Sequence, residues 1–436
     1  MRSLAYWLTV AFVFTVPWEA AIHVAEIGQL ASAMGLTAAL VWVGSVVARG
    51  RLRQPDAFQK AFFLFLIWNG LTIYWSLDSG ATMSGFLTYT QIFVMLLMFW
   101  DLFETAIAIE AALQAYVLGA FIAGGSIIVN FLTAAPAKFP EHQRFQGLGL
   151  ETDGIALIVA IAAPAAWYLA ASPPSRPRSS AVRLVNYSYI PLALFALVLT
   201  GTRGAALASI PTVVFMLWSL RRASGAKLIA ALAALTIAVA MVIGFAPREP
   251  LDRIGSAWTE LAGGGDLNGR TEIWAESLQV FLDRPIAGAG LGAHRAAVAA
   301  RSVTKPIASR DNLPGLNAHQ VAVTTGRRAH NILLSVLTET GIVGLVLFSG
   351  VILTVVARVR HLSGWQAWHW LTQLAVLAIG AMSLSLEDSK SLWLLLSLCV
   401  ASGAAAEAPR TWPDTRRTAH GVFVNSEVLR QGRIRR

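Results

Sequence analysis

The sequence predicts an all-α polytopic membrane protein with about twelve transmembrane helices and one large loop outside the membrane. Of the 436 residues, 56% are hydrophobic and 13% are charged, and the mean hydropathy is +0.60. Soluble domains carry about 25% charged residues, so this composition is typical of a chain that lies mostly in a bilayer. Apolar runs of the ~20 residues that a spanning helix needs recur along the whole sequence.

Polar and basic segments divide the apolar runs into predicted domains. Nine spans occupy residues 1–246, a large polar loop residues 247–329, three more spans residues 330–407, and a basic tail residues 408–436. The first run also fits a signal peptide, but other spans follow at once, so we expect it to be retained. The predicted spans are approximately 4–22, 31–47, 61–75, 83–100, 106–131, 155–171, 188–200, the following segment to 220, 228–245, 330–356, 365–384 and 392–405.

Basic residues alternate with the spans in a way that predicts the orientation. If the N-terminus lies in the cytoplasm, the basic segments 49–60, 172–183, 221–227 and 358–361 fall on the cytoplasmic side with the tail. The tail supplies half of the +10 net charge, through seven arginines against two acids. This is the pattern of the positive-inside rule, so both termini are placed in the cytoplasm. We expect the charge to contact the lipid bilayer, and we expect no nucleic-acid partner.

The same orientation gathers unusual polar residues on the outer face of the membrane: Arg144, Arg203, Arg270 and His330. Arg203 stands in a very short turn between the seventh and eighth spans. A guanidinium there costs free energy unless it reaches water or an anion, so Arg203 is a candidate anion ligand. The alternative is that its side chain only extends to lipid headgroups.

A second candidate lies where the long polar loop meets the tenth span. The sequence there is Arg327-Arg328-Ala329-His330-Asn331, and we expect His330 and Asn331 in the first turn of the helix. An imidazole exchanges a proton near neutral pH, and helix-terminal amides beside two arginines favour an anion. A base and an anion site therefore coincide at a membrane boundary. The alternative is that the arginines contact headgroups and that His330 only caps the helix.

Within the long loop, the pattern predicts one helix and one turn. Apolar spacing predicts a helix over residues 275–282, capped by Asn268 and ended by Asp283-Arg284-Pro285. The run Gly288-Ala289-Gly290-Leu291-Gly292 is typical of a turn, since a phosphate cradle would require a following βαβ pattern. The polar segment 300–325 is predicted to be a lid.

Several chemistries are excluded because their motifs are absent. The sequence has no Cys or His pair with zinc spacing, no H-E-x-x-H and no G-x-S-x-G. Carboxylates are scarce on the outer face, and a divalent metal would depend on Asp78, Glu387, Asp388 or the acids of the long loop. We therefore expect neither a metal nor a cofactor. A histidine with several arginines suits transfer from an anionic substrate that leaves a phosphate group.

In their order along the chain, several short motifs resemble the O-antigen ligase and polymerase superfamily. The long outer loop before the His-Asn motif adds to the resemblance, and Thr152-Asp153-Gly154 departs from the family, which often has Asn after the first element. The motifs are Arg144-x-x-Gly147, Thr202-Arg203-Gly204-Ala205, Arg270-Thr271-Glu272-Ile273-Trp274, Pro285-Ile286-Ala287-Gly288-Ala289-Gly290-Leu291-Gly292, His330-Asn331-x-x-Leu334 and Glu339-x-Gly341-Ile342-x-Gly344.

The resemblance implies a C-type, membrane-embedded glycosyltransferase. Such enzymes transfer a glycan from undecaprenyl diphosphate to an acceptor hydroxyl, on the periplasmic face of the bacterial inner membrane. The donor is already activated, so no nucleotide is required. On this reading His330 is the base and Arg203, Arg270 and Arg144 hold the diphosphate. The supporting residues are Asn331, Glu339 and Trp274.

Glu339 is predicted to have a structural role. It follows His330 by nine residues, which on a helix turns it to the opposite face and places it ~13 Å along the axis. We therefore expect it to pair with a neighbouring helix rather than to orient His330. Gly341 returns to the face of His330 and is expected to permit close helix packing.

Three functions stay open at the level of sequence. The first is a ligase that transfers the glycan to a lipid A-core or similar acceptor, and the second is a polymerase that extends the lipid-linked repeat unit. The third is a transporter or flippase of lipid-linked sugars. A transporter typically has charges at the membrane midplane and internal repeats, whereas the charges here lie on one face.

The predicted orientation can be tested by cysteine labelling. Because basic loops alternate with polar ones, a cysteine placed in the segment 300–325 should react with a membrane-impermeant thiol reagent in intact spheroplasts. A cysteine that replaces Arg416 in the tail should react only after the membrane is opened. The reverse labelling pattern would overturn the orientation and the location of the candidate residues.

Overall fold

The computed structural model describes residues 1–24, 28–134, 144–173, 178–221, 225–252, 254–255, 270–302, 329–384 and 386–407. Residues up to Ala406 form one compact unit. Its helices are α1 (Arg2–Thr15), α2 (Leu30–Arg49), α3 (Ala57–Leu71), α4 (Ser79–Leu102), α5 (Ala106–Thr133), α6 (Thr152–Ala171), α7 (Ser180–Thr200), α8 (Arg203–Leu220), α9 (Gly225–Phe245), α10 (Arg270–Asp283), α11 (His294–Ser302), α12 (Ile332–Val359), α13 (Gly364–Ala381) and α14 (Lys390–Glu407). Short 3-10 helices follow α1 (Val16–Trp18) and α3 (Thr72–Tyr74), and β1 (His23–Val24) pairs antiparallel with β2 (Gly28–Gln29).

A helix occupies each of the twelve segments predicted to span the membrane, but fewer are long and apolar enough to cross it. Among the described residues eight helices qualify, namely α2, α4, α5, α6, α7, α8, α12 and α14. With 14 and 15 residues, α1 and α3 each rise only ~21–23 Å, less than the ~30 Å of a bilayer core. The chain is thus an all-helical multi-pass membrane protein, and the count of twelve spans is not confirmed. The predicted basic tail and residues 303–325 of the predicted lid lie outside the described residues, and the first residues of the lid end α11.

Ion pairs tie several helix ends together at one end of the bundle. Arg358 at the end of α12 pairs with Asp56 just before α3 (2.6 Å), and Arg49 at the end of α2 pairs with Asp101 in α4 (2.8 Å). Arg178 pairs with Glu110 there as well. This end of the bundle contains the predicted cytoplasmic loops. The starts of α8 and α12 therefore lie at the opposite end.

α6 lies at the centre of the bundle. Between Ile155 and Ala171, every residue except Ile158 is buried. The sequence of α6 is rich in alanine, and small side chains allow neighbouring helices to approach closely in a membrane protein. α5, α7, α8 and α13 all pack against it. This central helix brings together the ends of elements that are distant in sequence.

α12 is broken near its first third, and a loop fills the break. Gly341 has a φ of +68° and a ψ of −169°, so the helical hydrogen bonds across it are lost. We define the glycine loop as Pro285–Gly292. Its amides of Ala289 and Gly290 donate to the carbonyls of Thr338 (2.9 Å) and Glu339 (2.8 Å).

Two carbonyls of the same loop accept hydrogen bonds from amides that follow the break. Ile342 donates to the Pro285 carbonyl (2.9 Å), and Val343 donates to the Ile286 carbonyl (3.4 Å). A Cβ atom at Gly341 would overlap the backbone of Ile286. Gly341 therefore admits a loop backbone into the helix, where the sequence predicted close packing of helices. The glycine run is a turn, as predicted.

The other face of the glycine loop contacts the connection between α3 and α4. The Leu77 amide donates to the Ala289 carbonyl (2.9 Å), and the indole of Trp75 donates to the Ala287 carbonyl (3.0 Å). The indole of Trp68 donates to the Thr340 carbonyl beside the break (2.9 Å). Buried backbone groups are nearly always paired, and here the loop and two indoles supply the partners.

The break at Gly341 yields a stability prediction. Gly341→Ala should lower the free energy of unfolding by at least ~2 kcal/mol, because alanine strains the backbone and collides with Ile286. Thermal unfolding of the purified protein in detergent measures this. Gly350→Ala in the same helix is the control, because a Cβ there meets no atom within 4 Å. It should leave stability unchanged or raise it by up to ~1 kcal/mol. Equal effects of the two changes would contradict the role assigned to the break.

Candidate active site

His330 lies outside the helix that it was expected to begin. α12 starts at Ile332, and the Oδ1 atom of Asn331 accepts hydrogen bonds from the amides of Leu333 (3.0 Å) and Leu334 (3.3 Å). Asn331 is therefore the N-cap, since an N-cap side chain bonds the amides two and three residues on. The placement of His330 in the first turn and the alternative that it caps the helix are both wrong.

The backbone on either side of His330 is held firmly. His330 has a φ of +49°, a left-handed conformation that costs roughly 1–2 kcal/mol for a residue with a side chain. The indole of Trp274 in α10 donates to the carbonyl of Ala329 (3.1 Å), and Ala329 itself is buried. On the other side the cap at Asn331 fixes the chain direction. These contacts maintain a strained position that presents a half-buried imidazole beside the helix start.

Arg203 is the first residue of α8, after a sharp turn. α7 ends at Thr200, with Gly201 (φ +58°) as its C-cap. Thr202 is the N-cap of α8, which follows directly. A Cβ atom on Gly204 would lie 2.6 Å from the Oγ atom of Ser383, so this turn is in close contact with the segment after α13. The adjacent Met382 meets the amide of Asn331, with 4.0 Å between Nδ2 and Sδ. The structure therefore brings the turns that carry Arg203 and His330 to neighbouring residues of one segment.

Arg144 binds the same turn. Its guanidinium donates to the Thr200 carbonyl through Nε (2.9 Å) and to the Thr202 hydroxyl through Nη2 (2.9 Å). It also forms an ion pair with Asp153, which in turn accepts a hydrogen bond from Thr202 (3.1 Å). The acid that departs from the family pattern is thus the partner of Arg144. These bonds fix the turn that leads into Arg203.

The motif that contains Arg270 forms the first turns of α10. α10 begins at Arg270, as the motif ending in Trp274 requires, and it ends at Asp283 as predicted. The side chain of Arg270 lies outside the described residues, as do Asn268, Arg327 and Arg328. The placement of Trp274 connects this motif directly to the residue before His330.

A cavity of about 300 Å³ opens between the glycine loop, α4, α12 and the connection before α14. Leu291, Gly292 and Ala329 contribute to its wall, so it reaches the residue that precedes His330. Eight polar side chains from four separate segments of the chain line it, and four of them are acids. They are Asp78, Ser335, Glu339, Glu387, Asp388, His294, Arg295 and Tyr89.

Glu339 lines this cavity, and one of its partners belongs to the glycine loop. Its Oε2 atom accepts a hydrogen bond from the Gly292 amide (2.8 Å). The sequence predicted a pairing with a neighbouring helix, on the basis of a helical rotation counted from His330. That rotation does not apply, because His330 precedes the helix. On the neighbouring turn of α12, Ser335 donates to the carboxylate of Glu387.

A second histidine, His294, belongs to the same cavity and was missed in the sequence. It begins α11, its ring is buried, and its Nε2 atom lies 2.9 Å from the Oγ atom of Ser277 in α10. Burial, with the nearby positive charges of Arg295 and His330, lowers the pKa of His294 from 6.5 to about 4. The histidine follows the last glycine of the glycine loop by two residues. That position after the glycine loop is a sequence signal for a site residue.

Other parts of the described structure offer weaker alternatives. A cavity of about 500 Å³ lies between α2 and α4, yet none of the predicted site residues lines it. No group of three or more histidine, cysteine or acidic side chains in the described residues is arranged to hold a metal ion. The expectation of a metal-free reaction stays a prediction.

Comparison with known proteins supports the motif-based resemblance. No curated protein matches the chain. Residues 189–349 match the family model described as O-antigen ligase. This segment includes Arg203, Arg270 and His330, whereas Arg144 precedes it. The predicted family resemblance is confirmed over this part of the chain: residues 189–349 of this multi-pass membrane protein are similar to the O-antigen ligase family.

Proposed function

We propose that the protein transfers a glycan from undecaprenyl diphosphate to an acceptor hydroxyl, at the periplasmic face of the bacterial inner membrane. The observation that carries this proposal is the position of His330. It lies within the matched O-antigen ligase domain, it is not the cap of its helix, and its backbone is held at a φ of +49°. Strained backbone at a candidate site is consistent with a functional demand on the side chain.

In the proposed reaction, His330 takes the proton of the acceptor hydroxyl. The hydroxyl oxygen forms a bond to the anomeric carbon of the donor sugar while the bond from that carbon to the diphosphate oxygen breaks. The diphosphate departs on its lipid with the bonding electrons. A positioned base and positive charge at the leaving group are the two things this step requires.

Arg203 and Arg270 supply the positive charge in this proposal. Arg203 opens α8, where the helix dipole adds to the attraction for an anion. A guanidinium binds two phosphate oxygens at once and stays charged. Arg144, which was predicted to contact the diphosphate, is bonded to Thr200, Thr202 and Asp153. We therefore assign it a positioning role, in which it holds the turn before Arg203.

The acceptor distinguishes the two enzymatic alternatives. A ligase transfers the completed glycan to a lipid A-core or similar acceptor, whereas a polymerase transfers it to another lipid-linked repeat. Loss of a ligase leaves long glycan on the lipid carrier, and loss of a polymerase leaves single repeats. A transporter of lipid-linked sugars is a poorer fit, because the candidate residues gather at one end of the bundle and not at the midplane.

The division of labour between His330 and the arginines can be tested with substitutions. His330→Asn should fold normally, since asparagine tolerates a positive φ and Asn331 still caps α12. It should lower turnover by ~10²–10⁴-fold, the usual loss for a general base, with little change in donor binding. Transfer by the purified protein from a lipid-linked donor measures both quantities.

The arginine variants provide the contrast in the same assay. Arg203→Ala and Arg270→Ala should weaken donor binding as well as turnover, because the diphosphate is present in the ground state and in the transition state. Lysine at either position should restore little of the donor binding or turnover, since an ammonium group lacks the bidentate geometry of a guanidinium. Near-normal transfer by correctly folded His330→Asn protein would sink the assignment of the base.

Dependence on metal is a separate test. Because positive charge for the diphosphate comes from arginines in this proposal, transfer should continue in the presence of EDTA. If chelation abolished transfer and Mg²⁺ or Mn²⁺ restored it, the acids around the cavity would have to be reconsidered as metal ligands.

A further inference from the structure

The hydrogen bonds of Ser277 determine which nitrogen of His294 carries a proton. The Ser277 hydroxyl lies 2.7 Å from the Ile273 carbonyl, which can only accept, so the hydroxyl donates its hydrogen there. Toward His294, 2.9 Å away, the same oxygen is left to accept. Nε2 of His294 must therefore be the protonated nitrogen.

The other nitrogen of the ring is then a bare acceptor. With its pKa lowered to about 4, the ring is neutral at pH 7, and Nδ1 carries a lone pair. His294 is only 4% exposed, and Nδ1 has no hydrogen-bond partner among the residues that the structure describes. An unmet buried acceptor costs ~1–3 kcal/mol. A hydrogen-bond donor that enters the adjoining cavity would recover this energy.

The cavity beside His294 is built mainly of acceptors. The carboxylates of Asp78, Glu339, Glu387 and Asp388 line it, and its volume of about 300 Å³ is at the lower end for ligand sites. These four acids outnumber Arg295, the one arginine of the lining, so the cavity favours a neutral ligand over an anion such as the diphosphate. A neutral molecule with several hydroxyl groups can donate to all of them, and sugars have this chemistry. Ala329 lines the same cavity, so such a ligand would lie next to His330.

We propose that this cavity is the subsite for the acceptor sugar and that Nδ1 of His294 accepts a hydrogen bond from one of its hydroxyl groups. The inference rests on the proposed transfer function and names the place of its second substrate. The donor diphosphate is held by arginines at the start of α8 and α10, and the acceptor is held by acids and His294. Charge thus separates the two substrates on either side of His330.

The tautomer can be measured without any substrate. Purified protein labelled with ¹⁵N-histidine, embedded in nanodiscs at pH 7, should show one neutral ring protonated at Nε2 whose signal is absent from His294→Gln. The tautomer is read on the wild-type protein, and the variant serves only to assign the signal. A ring protonated at Nδ1, or at both nitrogens, would overturn the proposal.

The subsite is tested by substitution of the same residue. Glutamine in His294→Gln keeps a donor for Ser277 and removes the Nδ1 acceptor. It should raise the KM for the acceptor on the order of tenfold, equivalent to one lost hydrogen bond, and leave the KM for the donor within about twofold. Arg301→Gln is the control. Arg301 is exposed, lies on the same helix and pairs with Asp283 outside the cavity, so this change should alter neither KM.

Sugar binding separates failure of the subsite from failure of the proposed function. Saturation-transfer NMR with methyl glucoside, methyl galactoside and methyl mannoside should show binding to wild type and to His330→Asn, but reduced binding to His294→Gln. Binding with this pattern but without transfer would support the cavity and contradict the transferase. Transfer with an unchanged acceptor KM in His294→Gln, or no binding of any of the three sugars to wild type, would overturn the subsite.

Discussion

The insertion of the glycine loop into the broken α12 is the interaction on which the candidate site depends. Four backbone hydrogen bonds and the Trp68 indole replace the helical bonds that Gly341 removes. Each buried backbone group left unpaired would cost ~1–3 kcal/mol. The break and the loop are therefore mutually required: neither is stable at membrane depth without the other.

This junction also sets the chemical character of the cavity. It holds Gly292 against the carboxylate of Glu339 and places His294 at the start of α11, next to the wall of the cavity. Ten residues before Gly341, the cap at Asn331 fixes where α12 begins and leaves His330 outside it. The turn that carries Arg203 lies against Ser383, and the adjacent Met382 contacts Asn331. The turn that carries Arg203 and the four acids of the cavity thus belong to different elements.

The sequence was informative where a signal is local. Runs of apolar residues located all twelve helical segments, and the motifs located the family and the helix that ends at Asp283. Whether α1 and α3 cross the membrane could not be read from hydrophobicity alone, because their helices end after 14 and 15 residues. Asn331 was a recognisable cap by residue type, but the neighbouring histidine was given that role. The contact of Glu339 with the glycine loop could not be predicted, since it depends on where α12 begins and on the loop that lies against the break at Gly341.

The contacts around the glycine loop also constrain the order of biogenesis. Trp68 bonds a carbonyl 272 residues later in the chain, and Trp75 one that is 212 residues later. At synthesis rates of 5–20 residues per second, roughly 15–55 s separate the emergence of Trp68 from that of its partner. During this interval the indoles of Trp68 and Trp75 lack the carbonyl partners that the folded protein provides. The contacts around the glycine loop are consequently completed late, after both the loop and the first part of α12 have been synthesised.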